Sequence, residues 1–225
     1  MTELNRKIDV QVKKIDEDLE KFLRRNINPI IYGLLKSPGV YLCGGVIRAH
    51  FDYSDILDID IYFRNHRIRK SFIESMRSAR GFREYETNNA LGFTSEDETL
   101  VQACTLTGTP AELIESFDFT AVQMVVSLDE GHLYYTPSSA IDAINEVLVY
   151  TGSTNPLGSL KRAIKYAKKG YKVPNDTIAR ILHDISKNND LSDVNGLVSD
   201  LGSSGEAYPS EETIWGEEGN PYDDL

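Results

Sequence analysis

Asp58-Ile59-Asp60-Ile61, which begins thirteen residues after a Gly44-Gly45 pair, is the stretch that most restricts how this chain can fold. Aspartate opposes β propensity, yet the alternation has the two-residue period of a strand. A strand here projects Asp58 and Asp60 from one face and Leu57, Ile59, Ile61 and Phe63 from the other. The apolar set needs a core on its side, and the acid pair needs water, a cation or a cationic partner on its own. Hard divalent cations take oxygen ligands, and carboxylates that share two of them hold the ions about 3.5–4 Å apart. Neither glycine carries a Cβ, so backbone N–H groups at that bend can approach a phosphate closely. The combination suits phosphoryl-group chemistry.

Taken singly, these are weak signals: Asp-x-Asp is a common surface pattern and a glycine pair is usually a turn. The flanking sequence gives them weight. Val40-Tyr41-Leu42-Cys43 reads as a buried strand running into the glycines, and residues 57–63 read as a second strand with charge and hydrophobe alternating. Acids on a short apolar strand break a local rule, and such breaks concentrate at functional positions.

Around that pair the chain reads as helix, mixed sheet, neck and tail. Ile8, Val12, Ile15, Leu19, Phe22 and Leu23 recur at helical spacing and predict one amphipathic helix between Thr2 and Arg25. Pro29 opens a second short helix through Leu35, which Pro38-Gly39 ends. Arg67 to Arg80 predicts a helix with Phe72, Ile73 and Met76 inward. Arg67, Arg69, Lys70, Arg77, Arg80 and Arg83 then form either a solvated face or a path for a polynucleotide or triphosphate. Residues 99–104 predict a further strand. Residues 159–172 predict a helix that buries Leu160, Ala163, Ile164 and Ala167, displays Lys161, Arg162, Lys165, Lys168, Lys169 and Lys172, and is capped by Gly170. A last helix is expected from Thr177 to Lys187. The expected organisation is an N-terminal helical segment at 1–37, a head domain at 38–150, a helical neck at 151–188 and a tail at 189–225.

Net charge has to be divided before it informs. The last Lys or Arg is Lys187; ten acidic residues beyond it account for nearly all of the net −11, while the body before it, with 25 acidic and 24 basic residues, is close to neutral. A neutral body can still present a local basic surface to a polynucleotide. The tail, rich in Glu, Asp, Gly and Pro after Ser203-Ser204-Gly205, is expected to be disordered in isolation. Tyr208, Ile214, Trp215 and Tyr222 are spaced through it as anchors for a protein partner would be; the competing reading is a solubilising tail. Cys43 and Cys104 read as buried free thiols. No run resembles a membrane span, and Met1–Lys7 leads into a charged helix rather than a signal's apolar stretch, so a cytoplasmic location and no membrane partner are expected.

Three ordered motifs resemble the DNA polymerase β-type nucleotidyltransferases, especially the head domain of bacterial poly(A) polymerases and CCA-adding enzymes. Gly44-Gly45-x-x-Arg48 with Asp58-x-Asp60 is similar to the family signature. Asp118-Phe119-Thr120, followed by a hairpin near Asp129-Glu130-Gly131-His132-Leu133, is similar to its Arg-Arg-Asp-Phe-Thr segment, and Leu160 to Tyr171 is similar to its neck helix. The resemblance covers about residues 40–175. It implies an α/β (α+β) fold: a head of mixed sheet flanked by helices, with a short helical neck. It further implies Mg²⁺ or Mn²⁺ held by the catalytic carboxylates Asp58 and Asp60. Gln102 falls on the strand where a third ligand is expected, with Glu98 or Asp118 as alternatives. Gly44 and Gly45 would cradle the β/γ-phosphates, with Arg48, Asp118, Arg162 and Lys165 around the nucleotide. The implied reaction moves a nucleoside monophosphate from a nucleoside triphosphate to an acceptor hydroxyl, with RNA as the acceptor class.

The chain also departs from that pattern. Ala49 follows Arg48 where the family has Asp, Ser116-Phe117 replaces two arginines, and Asn155-Pro156-Leu157-Gly158-Ser159 stands where a base-reading Glu-Asp-x-x-Arg element is expected. After Pro174 one helix is expected where the family continues into an RNA-holding body. A neutral Gln102 adds no charge to offset a cation, so weaker metal binding or reduced activity is expected. These departures keep a second reading open: a catalytically degenerate fold serving as a structural or partner-binding module. Head, shortened neck and substitutions together also resemble nucleotidyltransferase-like proteins of bacteriophages, which would place the chain in the host cytoplasm or a virion.

Overall fold

The computed structural model describes residues 8–87, 90–95 and 100–188; Glu98 and the tail expected at 189–225 lie outside them. In chain order the elements are β1 (Gln11–Lys14), α1 (Glu17–Asn26), α2 (Pro29–Leu34), β2 (Val40–Cys43), α3 (Gly45–Asp52), β3 (Asp58–Phe63), α4 (His66–Ser78), β4 (Phe82–Glu86), β5 (Ala90–Ser95) and β6 (Leu100–Thr107). They continue with α5 (Pro110–Ser116), β7 (Met124–Ser127), β8 (His132–Tyr135), α6 (Ser139–Ile144), α7 (Pro156–Lys168) and α8 (Asn175–Asn188). The strands form one eight-stranded sheet in the order β1-β8-β7-β2-β3-β6-β5-β4. Only β3 and β6 run parallel; the connection between them contains α4 and the β4–β5 hairpin.

The two faces of the sheet are unequal. Val40, Leu42, Ile59, Ile61, Phe63, Phe93, Val101, Ala103 and Val126 point to one side, where residues of α1, α2, α3, α4, α6, α7 and α8 close the main core over them. On the other side Tyr41, Cys43 and Val125 are covered by Leu113 and Ile114 of α5 in a smaller core. Helix α5 is set by a capping box in which the Thr109 hydroxyl accepts from the Glu112 N–H while the Glu112 carboxylate accepts from the Thr109 N–H.

Two expectations are corrected. The single helix predicted between Thr2 and Arg25 is divided: residues 11–14 form β1 on β8, and the helix starts at Glu17, where Asp16 accepts from the Leu19 N–H at 2.9 Å. Ile8 and Val10 pack against the smaller core while Leu19 and Leu23 enter the main one, so apolar residues of two structures mimic one helical stripe. In the neck, the Asn155 side chain caps α7 by accepting from the Gly158 N–H at 3.0 Å. Its inward residues are Leu157, Ser159 and Ala163 with Leu160 and Tyr166 packed alongside, whereas Ile164 is 49% exposed and Ala167 is exposed. Cys43 and Cys104 are free and buried, as expected.

Candidate functional site

Burial fixes which way the acids of β3 point. Ile59, Ile61 and Phe63 are wholly buried, each worth about 1.5–3 kcal/mol relative to exposure. A one-residue slip would expose all three, so Asp58 and Asp60 are held on the opposite face. Strand pairing then extends a same-face row across the sheet. Asp60 lies beside Cys43 of β2 and Gln102 of β6, Gln102 beside Gly92 of β5, and Gly92 beside Tyr85 of β4. Helix α5 covers the β2 and β7 end of this row, where Cys43 and Val125 are packed.

The chain leaves β2 into the bend that faces the acids. Gly44 has φ +69° and ψ −128°, a conformation open only to glycine, and α3 begins at the next residue. A Cβ on Gly44 would stand 3.9 Å from Asp60 Oδ2, and one on Gly45 would stand 4.0 Å from Asp58 Oδ1. Each glycine thus looks at one carboxylate with no side chain between them. The first N–H groups of α3 lack helical acceptors and open onto the same space, the arrangement that attracts anions.

Electrostatics across that space are strained. Burial, then repulsion from Asp58, pushes the Asp60 carboxyl up to about 7, with Lys165 pulling the other way. Lys169, one turn beyond Lys165, is shifted down by burial and by Arg48 and Lys165, with Asp58 and Asp52 opposing. The end of the neck therefore presents cations towards the acids. Cys104 Sγ lies 4.0 Å from Asp60 Oδ1, and burial holds its thiol well above the usual range.

Two carboxylates that ionise together with difficulty fit one hard cation whose remaining ligands come from a phosphate and water, the usual coordination of Mg²⁺. Gln102 stands beside Asp60 as a neutral third donor. Among the described residues no group of three His, Cys, Asp or Glu could hold a metal by itself.

The other expected site residues are engaged by partners within the chain. Arg48, expected at the phosphates, is buried in an ion pair with Asp52, donates to the Tyr171 hydroxyl at 3.2 Å and lies over the Tyr166 and Tyr171 rings. Tyr171 in turn donates to Asp52 at 2.6 Å, so a buried guanidinium is matched by a buried carboxylate and a phenol. Asp118 and Arg162 pair with each other, Arg162 Nε donating to Asp118 Oδ2 at 2.7 Å, with Arg162 about half exposed. The cations of α4 serve the opposite face or its edge: Arg69 donates to the carbonyls of Ala103 and Cys104, and Arg77 pairs with Glu84.

Three residues of this face were not singled out by sequence reasoning. Lys169 follows Lys165 at helical i,i+4 spacing, which was a usable signal. Tyr85 and Gly92 lie on β4 and β5, strands whose charged and glycine-containing sequences hid them.

Comparison with known proteins fits this geometry. The Thermotoga maritima CCA-adding enzyme complexed with tRNA superposes with a TM-score of 0.59 at 18% identity, covering 88% of this chain and 52% of that one. A CCA-adding enzyme in complex with ATP gives a TM-score of 0.60 at 17% identity over 85% of this chain and 50% of that one. An apo CCA-adding enzyme gives 0.60 at 16% identity over 85% and 50%. The chain spans about half the length of these structures. Its fold is that of a nucleotidyltransferase head, a mixed sheet flanked by helices, followed by a helical neck. A search of curated proteins finds no match. A sequence model of the Gabija anti-defense 2 family matches residues 4–146, a span that includes the bend and the acid pair. The chain therefore belongs to the Gabija anti-defense 2 family.

Proposed function

We propose that this chain is a metal-dependent nucleotidyltransferase that moves a nucleoside monophosphate from a nucleoside triphosphate to an RNA hydroxyl. We further propose that a phage-encoded member of this family uses this transfer to counter Gabija defence. The observation that carries the reading is the acid pair of β3 facing Gly44 and Gly45 across an open space, with Lys165 and Lys169 turned towards it. In this reading the Gly44–Gly45 bend and the start of α3 receive the β/γ-phosphates, and the two lysines neutralise their charge. Asp58 and Asp60 would hold Mg²⁺, with Gln102 as a neutral neighbour; the bound ion would supply charge neutralisation at the α-phosphate and lower the cost of deprotonating the acceptor. The acceptor oxygen bonds to the α-phosphorus, the bond to the bridging oxygen breaks, pyrophosphate leaves and the hydroxyl proton passes to water. Arg48 keeps α3 and the neck in register, and the Asp118–Arg162 pair fastens the neck to the head.

Incubation with labelled nucleoside triphosphates, Mg²⁺ and mixed RNA should yield labelled RNA that disappears in Asp58→Asn/Asp60→Asn. The same variant should no longer restore plaque formation by a Gabija-sensitive phage. An absence of label on any RNA would reject the transferase reading.

Gln102 in place of a third acid favours one second reading, a binding module that holds nucleotide without turnover. It predicts a thermal shift with Mg²⁺ and a nucleoside triphosphate, about 2.7 kcal/mol at 100 times the dissociation constant, with no label transferred.

A further inference from the structure

The row Asp60–Gln102–Gly92–Tyr85 ends in an arrangement that the proposed chemistry leaves unexplained. A Cβ built on Gly92 would lie 2.0, 2.3 and 2.4 Å from Tyr85 Cζ, Cε1 and Cε2. Near-equal distances to Cζ and the two carbons flanking it mean that the hydroxyl end of the ring lies face down where a side chain on the glycine would stand. Only glycine leaves room for this. The ring of an edge strand is thereby folded inward across β5 towards Gln102 and the acids, and Asp58 and Asp60 both act on its phenol. One ring face rests on the sheet, and Tyr85 is half-buried. Its hydroxyl oxygen is buried with no hydrogen-bond partner among the described residues. A buried hydroxyl without a partner is destabilising, so the inward placement of this ring needs a reason. Arg83, two residues earlier on the same strand and the same face, is exposed.

Placement relative to the acids narrows what such a surface serves. The glycine bend and the neck lysines lie towards β2; Tyr85 and Arg83 lie across β6 and β5, on the far side of the acids. Displacement at phosphorus is in line, so the attacking hydroxyl comes from the side opposite the leaving pyrophosphate. If the bend holds the leaving group, the acceptor enters over β4, β5 and β6.

We propose that the free face of the Tyr85 ring, with Arg83 beside it, is the docking platform for the acceptor, the end of a single-stranded polynucleotide. This rests on the transferase reading of the acid pair. The terminal base stacks on Tyr85 and the preceding phosphate meets Arg83. Aromatic faces take any base and cations track the backbone, so the platform is tolerant of sequence.

Anisotropy of fluorescent A-rich and U-rich RNAs of about ten nucleotides, with Mg²⁺ and no triphosphate, tests this without requiring turnover. Tyr85→Ala should weaken binding about tenfold or more, the loss expected for one base–aromatic stack. Tyr85→Phe, which keeps the ring, should leave binding within about twofold of wild type, because stacking needs only the aromatic face. Arg83→Ala should weaken binding of both RNAs alike and flatten the salt dependence. Equal affinity of wild type and Tyr85→Ala would overturn the platform, and so would failure of the wild type to bind either RNA, the result expected of a protein acceptor. Arg83→Ala and Tyr85→Phe change little in packing, so a folding defect in Tyr85→Ala leaves two informative variants. Failure of the transferase reading is seen separately, as loss of label transfer in the wild type or Mg²⁺–ATP binding that survives Asp58→Asn/Asp60→Asn.

Discussion

Helices α4 and α7 are both thirteen residues long, both amphipathic and both rich in cations, yet they do opposite work. Helix α4 lies on the closed face, where Arg69 satisfies two carbonyls of β6 and Arg77 reaches Glu84 on the edge strand. Helix α7 ends beside the open face, and its last turn directs Lys165, followed by Lys169, towards two carboxylates that repel each other. Composition does not separate the two. Both helices pack on the main-core side of the sheet; what separates them is where each one ends, α4 against β3 and β6 and α7 beside the acids, whose side is fixed by the buried isoleucines and phenylalanine of β3.

The sharpest test of this contrast is the acid that the α7 lysines offset. Asp60 is held at about 7 against an ordinary 3.8, so between these values the folded chain binds more protons than the unfolded one. Stability should therefore fall as pH rises from about 4 to 7 and level off above, by about 2–4 kcal/mol from this group. Asp58, Lys165, Cys43, Cys104, Tyr62 and Tyr85 are among the charged and polar groups that act on it. Asp60→Asn should remove most of that slope in urea unfolding followed across pH, and an unchanged slope would mean that the Asp60 carboxyl is not held up by its burial beside Asp58. Next in size, Lys165→Ala/Lys169→Ala should weaken Mg²⁺–ATP binding about tenfold in calorimetry, with a shallower salt dependence, whereas Arg67→Ala/Lys70→Ala on α4 should change it less than about twofold. Equal losses in both pairs would erase the distinction. Smaller again, Arg69→Ala should lower stability by about 1 kcal/mol through its abandoned carbonyls and leave nucleotide affinity alone. Arg77→Ala, which breaks only an exposed pair, should cost about half that or less.

The acid pair, the glycine bend and the strand on either side were readable because short-range pattern fixes them: alternation gives the faces, and two glycines give the turn. The short helix from Pro29, the basic helix after β3 and the last helix were readable from spacing and punctuation. Hidden were the features decided by partners far away in sequence. β1 forms because β8 offers it an edge, although its residues fall on a helical stripe. The burial of Arg48 was hidden because Tyr171, the phenol it shares with Asp52, lies 123 residues away, although Asp52 itself stands at i,i+4. Tyr85 was invisible as a site residue because its meaning depends on an absent side chain at Gly92 in the neighbouring strand.

The knot of Arg48, Asp52 and Tyr171 has a mechanical meaning. It bolts the first helix after the bend to the residue just past the neck's lysines, deep enough that solvent cannot loosen it. The start of α3 and the end of the neck are thus tied at one spacing by a guanidinium, a carboxylate and a phenol, so a change at any of the three would be felt on both sides of the slot.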